Sequence, residues 1–190
     1  MDDMKNAPPA FNDLFRKSIR YMNGESDLHV GETIDNVVMG IGHPDASDEE
    51  AARILSAVLE YSPYVMRKGK GLTVVSMVSL MQIFHDELFA YSIDCAKRVM
   101  CAAEEKVSIG LHYATMNVGK NEANPRMAGF SRKDLNLGFI MPDIARELKH
   151  KLVLTQSFAT NYPASLFARY LKTINVEGDG EYRIYQHGLI

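Results

Sequence analysis

The stretch LTVVSMVSLMQIFHDELFAYSIDCAKRVMCAAEE, residues 72–105, carries the longest apolar pattern in the chain. Its start, with Val74 and Val75, reads as a strand, because β-branched residues suit extended backbone. From 79 to 104 the spacing favours helix. Leu80, Ile83, Phe84, Leu88, Tyr91, Cys95, Val99 and Ala102 line one stripe, and neither Gly nor Pro interrupts it. This reading predicts a central buried helix with other helices packed around it.

Upstream, Ser47 followed by Glu50 fits a capping box. The acidic run Asp48-Glu49-Glu50 suits the positive end of a helix that continues through Ile54, Leu55, Val58 and Leu59. Before it, residues 25–46 are punctuated by Gly31, Gly40, Gly42 and Pro44, with Ile34, Val37, Val38 and Ile41 spaced for one or two helical turns. Phe11, Leu14, Phe15, Ile19 and Met22 predict a further helix that stops at Asn23-Gly24. Downstream, VSIGLHYATMNVG is a second apolar pattern closing at Gly119. Ser131 is a candidate N-cap for 132–141, and Pro142 opens a helix through Ile144, Leu148 and Leu152. Ala164–Ile174 reads as a last amphipathic helix, and 176–190 as an arm with a short alternating segment at Tyr182–Tyr185. The expected fold is mostly α, with about six helices in a single core over residues 11–175, extended arms at 1–10 and 176–190, and little β.

The composition fits one globular domain of 190 residues, 46% hydrophobic and 24% charged. Cys95 and Cys101 are six apart on a predicted helix, so they point in different directions and read as reduced thiols in a reducing compartment. The acidic, proline-bearing start MDDMKNAPPAF lacks the pattern of a signal peptide. No apolar run approaches the roughly 20 residues of a membrane helix. The net charge of −3 is unevenly spread: residues 1–60 hold 5 Lys+Arg against 12 Asp+Glu, so the remainder is net basic. That asymmetry suits head-to-tail self-association or anion binding by the later part.

Catalytic patterns are scarce. GIGHP (40–44) has glycines but no following Lys-Ser/Thr, and no GxSxG elbow is present. The six histidines form no HExxH pair and write no local zinc site. His85-Asp86-Glu87 is the acid–base candidate. Cys95 or Cys101 with His112 is the thiol candidate. Each also reads as ordinary core or surface. Positive charge gathers at two glycine-bearing loops: Arg67, Lys68 and Lys70 in one, Arg126, Arg132 and Lys133 in the other. Cations with accessible backbone N–H groups suit phosphates, and Phe130 is placed to stack on a base. Both loops also fit a solvated connector.

Two stretches, SLMQIFHDELFAYSI (79–93) and PRMAGFSRKDLNL (125–137), resemble coat proteins of flexible filamentous, potyvirus-like plant viruses. The resemblance implies a helical-filament protein that coats single-stranded RNA through its backbone, with Arg126 and Arg132 carried over as contacts. The sequence therefore reads first as a self-assembling, non-enzymatic nucleocapsid-like protein. It binds single-stranded RNA and itself, needs no cofactor or metal, touches no membrane, and sits in the cytoplasm or a virion. The alternative is a helical protein–protein interaction or regulatory module without nucleic acid. A third reading is a small hydrolase or transferase using His85 or the Cys/His set.

Overall fold

The computed structural model describes residues 30–61, 64–67, 71–78, 85–104, 106–120, 128–129, 135–162 and 168–188, with backbone alone at 64–67, 78, 85–86 and 128–129. Along the chain run β1 (Thr33–Gly42), α1 (Asp48–Leu59), β2 (Tyr64–Arg67), β3 (Leu72–Val78), α2 (His85–Ala102), β4 (Ser108–Asn117), β5 (Gly119–Lys120), β6 (Ala128–Gly129), α3 (Asn136–Glu147), β7 (Leu152–Thr155), α4 (Gln156–Asn161), β8 (Arg169–Val176) and β9 (Gly180–Gln186).

Seven of these strands form one sheet in the order β2-β3-β1-β4-β7-β9-β8, while β5 and β6 pair separately. Every neighbouring pair of the large sheet is antiparallel except β4 and β7, which run parallel through Ile109–Leu152, Gly110–Val153 and Leu111–Leu154. The expectation of a mostly α fold is overturned: the architecture is a mixed α/β sheet with helices on both faces. The physical cause is visible in β1. Seven consecutive residues from Asn36 to Gly42 are buried. A strand covered on both faces reads as a continuous apolar run, so its spacing also matches helical turns.

Side chains alternate across the sheet. Val37, Met39 and Ile41 of β1, Val75 and Met77 of β3, Ile109 and Leu111 of β4, and Leu152 and Leu154 of β7 face α1, α2 and α4. Phe89 of α2 is wholly buried there, its ring 5.1 Å from the rings of Tyr113 and of Phe158. Helix α1 forms as its sequence predicts. Glu50 N donates to Ser47 Oγ at 3.1 Å and Ser47 N to Glu50 Oε2 at 2.8 Å, while Ala51, Ile54 and Val58 turn inward.

The opposite face carries α3. Leu137, Met141 and Ala145 cover Val153, Val176 and Ile184, and Leu135 joins Val38, Val74 and Met116. Pro142 lies inside this helix rather than at its start. Lacking an N–H, it leaves the Gly138 carbonyl without its intrahelical donor. That carbonyl instead abuts Gly40 of β1, where Pro142 also lies against the strand. Gly110 of β4 sits directly beneath Met141. The helix descends onto the sheet because neither strand has a Cβ at these points.

Other expectations change in place. The central helix begins at His85 and packs on a sheet, and the strand reading at Val74 and Val75 holds. The predicted helix from 164 is instead β8 over its described part, and residues 180–186 form β9 between β7 and β8. In β8, Leu171 and Ile174 face Tyr182 and Ile184 on the α3 side. A register shift between Tyr170 and Lys172 breaks the strand's period and mimics helical spacing. The predicted helix over Phe11–Met22, the arm at 1–10 and the cap at Ser131 lie outside the described residues.

Candidate functional site

The face covered by α3 holds a polar cluster that crosses from β4 to β7 and α4. His112 stands on the α3 side of β4, one residue past the Leu111–Leu154 pair of the parallel step, as Thr155 does on β7. Its Nδ1 lies 3.0 Å from Thr155 Oγ1 and 3.3 Å from Ser157 Oγ. Thr155 Oγ1 and Ser157 Oγ are 3.0 Å apart, and Ser157 donates to the Tyr113 carbonyl at 2.6 Å. The Tyr182 ring meets the imidazole edge-on at 5.7 Å. Thr155 is wholly buried and His112 nearly so.

Burial pushes the His112 imidazole down from 6.5 to about 4, and the Asp179 carboxylate offsets part of that. The unfolded chain takes up this proton near its ordinary pKa, the folded one only near pH 4. The unfolded state therefore binds more protons within that window, and stability is lost as pH falls through it. The contribution is complete above the upper limit and amounts to roughly 3 kcal/mol. Urea unfolding at about pH 7 and about pH 5 should show a loss that the His112→Asn variant largely lacks. Equal losses in both proteins would refute the assignment.

A second polar place is the turn from β1 into α1. His43 is buried, with Nε2 3.1 Å from Thr73 Oγ1. It lines a cleft of about 140 Å³ with Asp45, Glu50 and Lys106 over a floor that includes Ile54 and Val107. Lys106 Nζ lies 3.5 Å from Glu50 Oε1. Hydrogen bonds from Ser47 and the nearby Lys106 hold the Glu50 carboxyl below its usual range. The Glu50 and Lys106 charges here are matched to each other. A third place joins Asp35 to its neighbours on β4: its Oδ1 accepts from Tyr113 Oη at 2.9 Å and Thr115 Oγ1 at 3.1 Å. Among the described residues no three His, Cys, Asp or Glu side chains converge to hold a metal ion.

The Cys/His pairs expected from sequence do not form with Cys95. That residue lies in the core between α2 and the sheet, whereas His112 is on the sheet's other face. Burial also pushes the Cys95 thiol up to about 12, far from a thiolate at neutral pH. Cys101 is exposed on α2. His85 opens α2, and its side chain lies outside the described residues. So do the side chains of the basic loops. Arg67 ends β2 opposite Thr73, and Lys68, Lys70, Arg126, Phe130, Arg132 and Lys133 fall in undescribed segments. The sequence reading missed Thr155, Ser157, Tyr182 and Asp179. The available signal was the period-two alternation through Gly110, His112, Ala114 and Met116, which marks a strand with one imidazole on a small-residue face.

No family model and no curated protein matches the sequence. Solved structures do match the fold. One bacterial light-regulated adenylyl cyclase superposes with a TM-score of 0.67 at 11% identity, covering 93% of this chain and 59% of that one. Another structure so described gives 0.61 at 12% identity, covering 94% and 60%. The adenylyl cyclase CyaB from P. aeruginosa gives 0.60 at 11% identity, covering 83% and 95%. This chain thus spans about three-fifths of the light-regulated proteins' length.

The likeness is one of fold, and it overturns the coat-protein reading. Over their described parts, the two stretches behind that resemblance belong to a sheet-packed helix, the β6 ladder and the start of α3. The helical interaction module falls with it, because the described core is a mixed sheet, and against the expectation of a non-enzyme the solved structures that share this fold are those of adenylyl cyclases. No helix among the described residues is long and apolar enough to cross a membrane.

Proposed function

We propose that this chain is a nucleotide-cyclase-like domain. It takes a purine nucleoside triphosphate and closes the ribose 3′ oxygen onto the α-phosphorus. The O3′–P bond forms, the bond from the α-phosphorus to the bridging oxygen breaks, pyrophosphate leaves and the 3′ proton passes to solvent. The observation supporting this reading is the fold likeness to adenylyl cyclases over 93% of the chain. The one parallel step between antiparallel halves and α3 alone on its face of the described sheet are the features that any such site must be built on.

A divalent cation is the usual companion of a nucleoside triphosphate. The described residues offer no cluster of three ligating side chains for one, so no step is assigned to a metal. The purified chain, incubated with ATP and separately with GTP in the presence of magnesium or manganese, should release the cyclic nucleotide and pyrophosphate, read by mass spectrometry. Heat-denatured protein should release neither. Absence of both products with both nucleotides, together with no binding by calorimetry, would overturn the proposal.

A further inference from the structure

The cluster at His112 fixes the tautomer of that ring. The Tyr113 carbonyl can only accept, so the Ser157 proton is committed to it across 2.6 Å. Ser157 must then accept from Thr155 across 3.0 Å. With its own proton used, Thr155 accepts from His112 Nδ1 across 3.0 Å. One proton per group satisfies the whole relay. The opposite assignment, with Thr155 donating to Nδ1, leaves the two hydroxyl oxygens in contact with no proton between them. Such a lone-pair clash is costly where Thr155 is wholly buried. Nδ1 therefore carries the hydrogen, and Nε2 carries the lone pair.

Imidazole geometry turns Nε2 away from the relay. His112 is 8% exposed, and its hydrogen bonds among the described residues all involve Nδ1. Nε2 is not one of the partnerless atoms cut off from solvent, so this acceptor is open to a donor that arrives from outside. The surroundings select which donor. The Asp179 carboxylate acts on the ring and on the nearby Tyr182 hydroxyl. Asp179 is the charge that acts on His112 among the described residues. Lone pair and carboxylate together repel an anion and favour an N–H group with partial positive charge.

We propose that His112 Nε2 is a recognition point for an amino N–H group, and, resting on the nucleotide reading above, that this group is the exocyclic amine of a purine base. The Ser157–Thr155 relay is the positioning device that keeps the lone pair in place. Long-range ¹H–¹⁵N spectra of the labelled chain test this directly. In the free protein Nδ1 should show the protonated and Nε2 the unprotonated shift, and the reverse pattern would overturn the inference. ATP should move Nε2 strongly. Purine riboside triphosphate, which lacks the amine, should leave it in place and bind roughly three- to tenfold more weakly. Equal affinities, or a silent Nε2 at saturating ATP, would sink the inference while leaving the cyclase reading intact. Failure of every nucleotide to bind would remove both. Thr155→Val keeps the side-chain shape and should yield mixed tautomers and lost discrimination. Retained discrimination in that folded variant would count against the relay.

Discussion

Replacing Gly40 by Ala is expected to lower the thermal midpoint by about 6–12 °C, a loss of roughly 3 kcal/mol in a domain of this size. A Cβ at this position would press on the Gly138 carbonyl oxygen and come within 2.8 Å of Pro142 Cδ and Cγ. Overpacking is tolerated where the neighbour is the free end of a flexible chain. Here the neighbours are a backbone carbonyl and a rigid ring, on a helix that is itself held by Val153, Val176 and Ile184. Only a shift of α3 away from the sheet relieves the contact, and that opens the packing around Met141 and Leu137. Gly178→Ala is the comparison. Its φ is +76, and nothing lies within 4 Å of the added carbon, so only the backbone preference is lost. That cost is about 1 kcal/mol. Differential scanning calorimetry of the two variants decides the matter. Equal midpoints would show that α3 does not rest on β1 as described.

Phe89→Ala should cost about 4 kcal/mol, with a midpoint about 8–16 °C lower. Phe89 is fully buried and links the helical layer to the sheet, touching Tyr113 of β4 and Phe158 of α4 edge-on or tilted. Truncation removes the transfer energy of the ring and leaves a cavity, and both aromatic contacts go with it. Leu59→Ala removes a residue of similar hydrophobicity that is 38% exposed, so its effect should stay near 0.5 kcal/mol. Chemical denaturation compares them. If Phe89→Ala proved as mild as Leu59→Ala, the aromatic cluster would not be the centre of the core.

The parts of the fold legible in the sequence were those set by local chemistry. The capping box at Ser47 and Glu50 is written within four residues, and it forms as read. The helix through Leu88, Cys95 and Val99 follows from an uninterrupted apolar stripe. What the sequence concealed depends on partners far along the chain. Strand β1 earns its two-sided burial from β3, β4 and α3, and nothing within Thr33–Gly42 distinguishes that from a buried helical turn. Pro142 read as a helix start because its missing N–H is harmless there. Its actual place inside α3 makes sense only once Gly40 is seen opposite. The polar cluster was hidden for the same reason. His112 and Thr155 are 43 residues apart and meet through the parallel β4–β7 step, which no short motif announces.

Among the described strands β9 comes last along the chain, yet it lies inside the sheet, between β7 and β8. While the protein is being made, β8 leaves the ribosome with no strand to join. The part of the α3 side that Val176 and Ile184 will cover waits with it, open, until residue 186 has emerged. At roughly 5–20 residues per second, the ten residues from Val176 to Gln186 take about a second. For that interval the nascent chain displays an unpaired strand edge beside an open apolar surface, and it is then that the molecule is most exposed to capture by another chain.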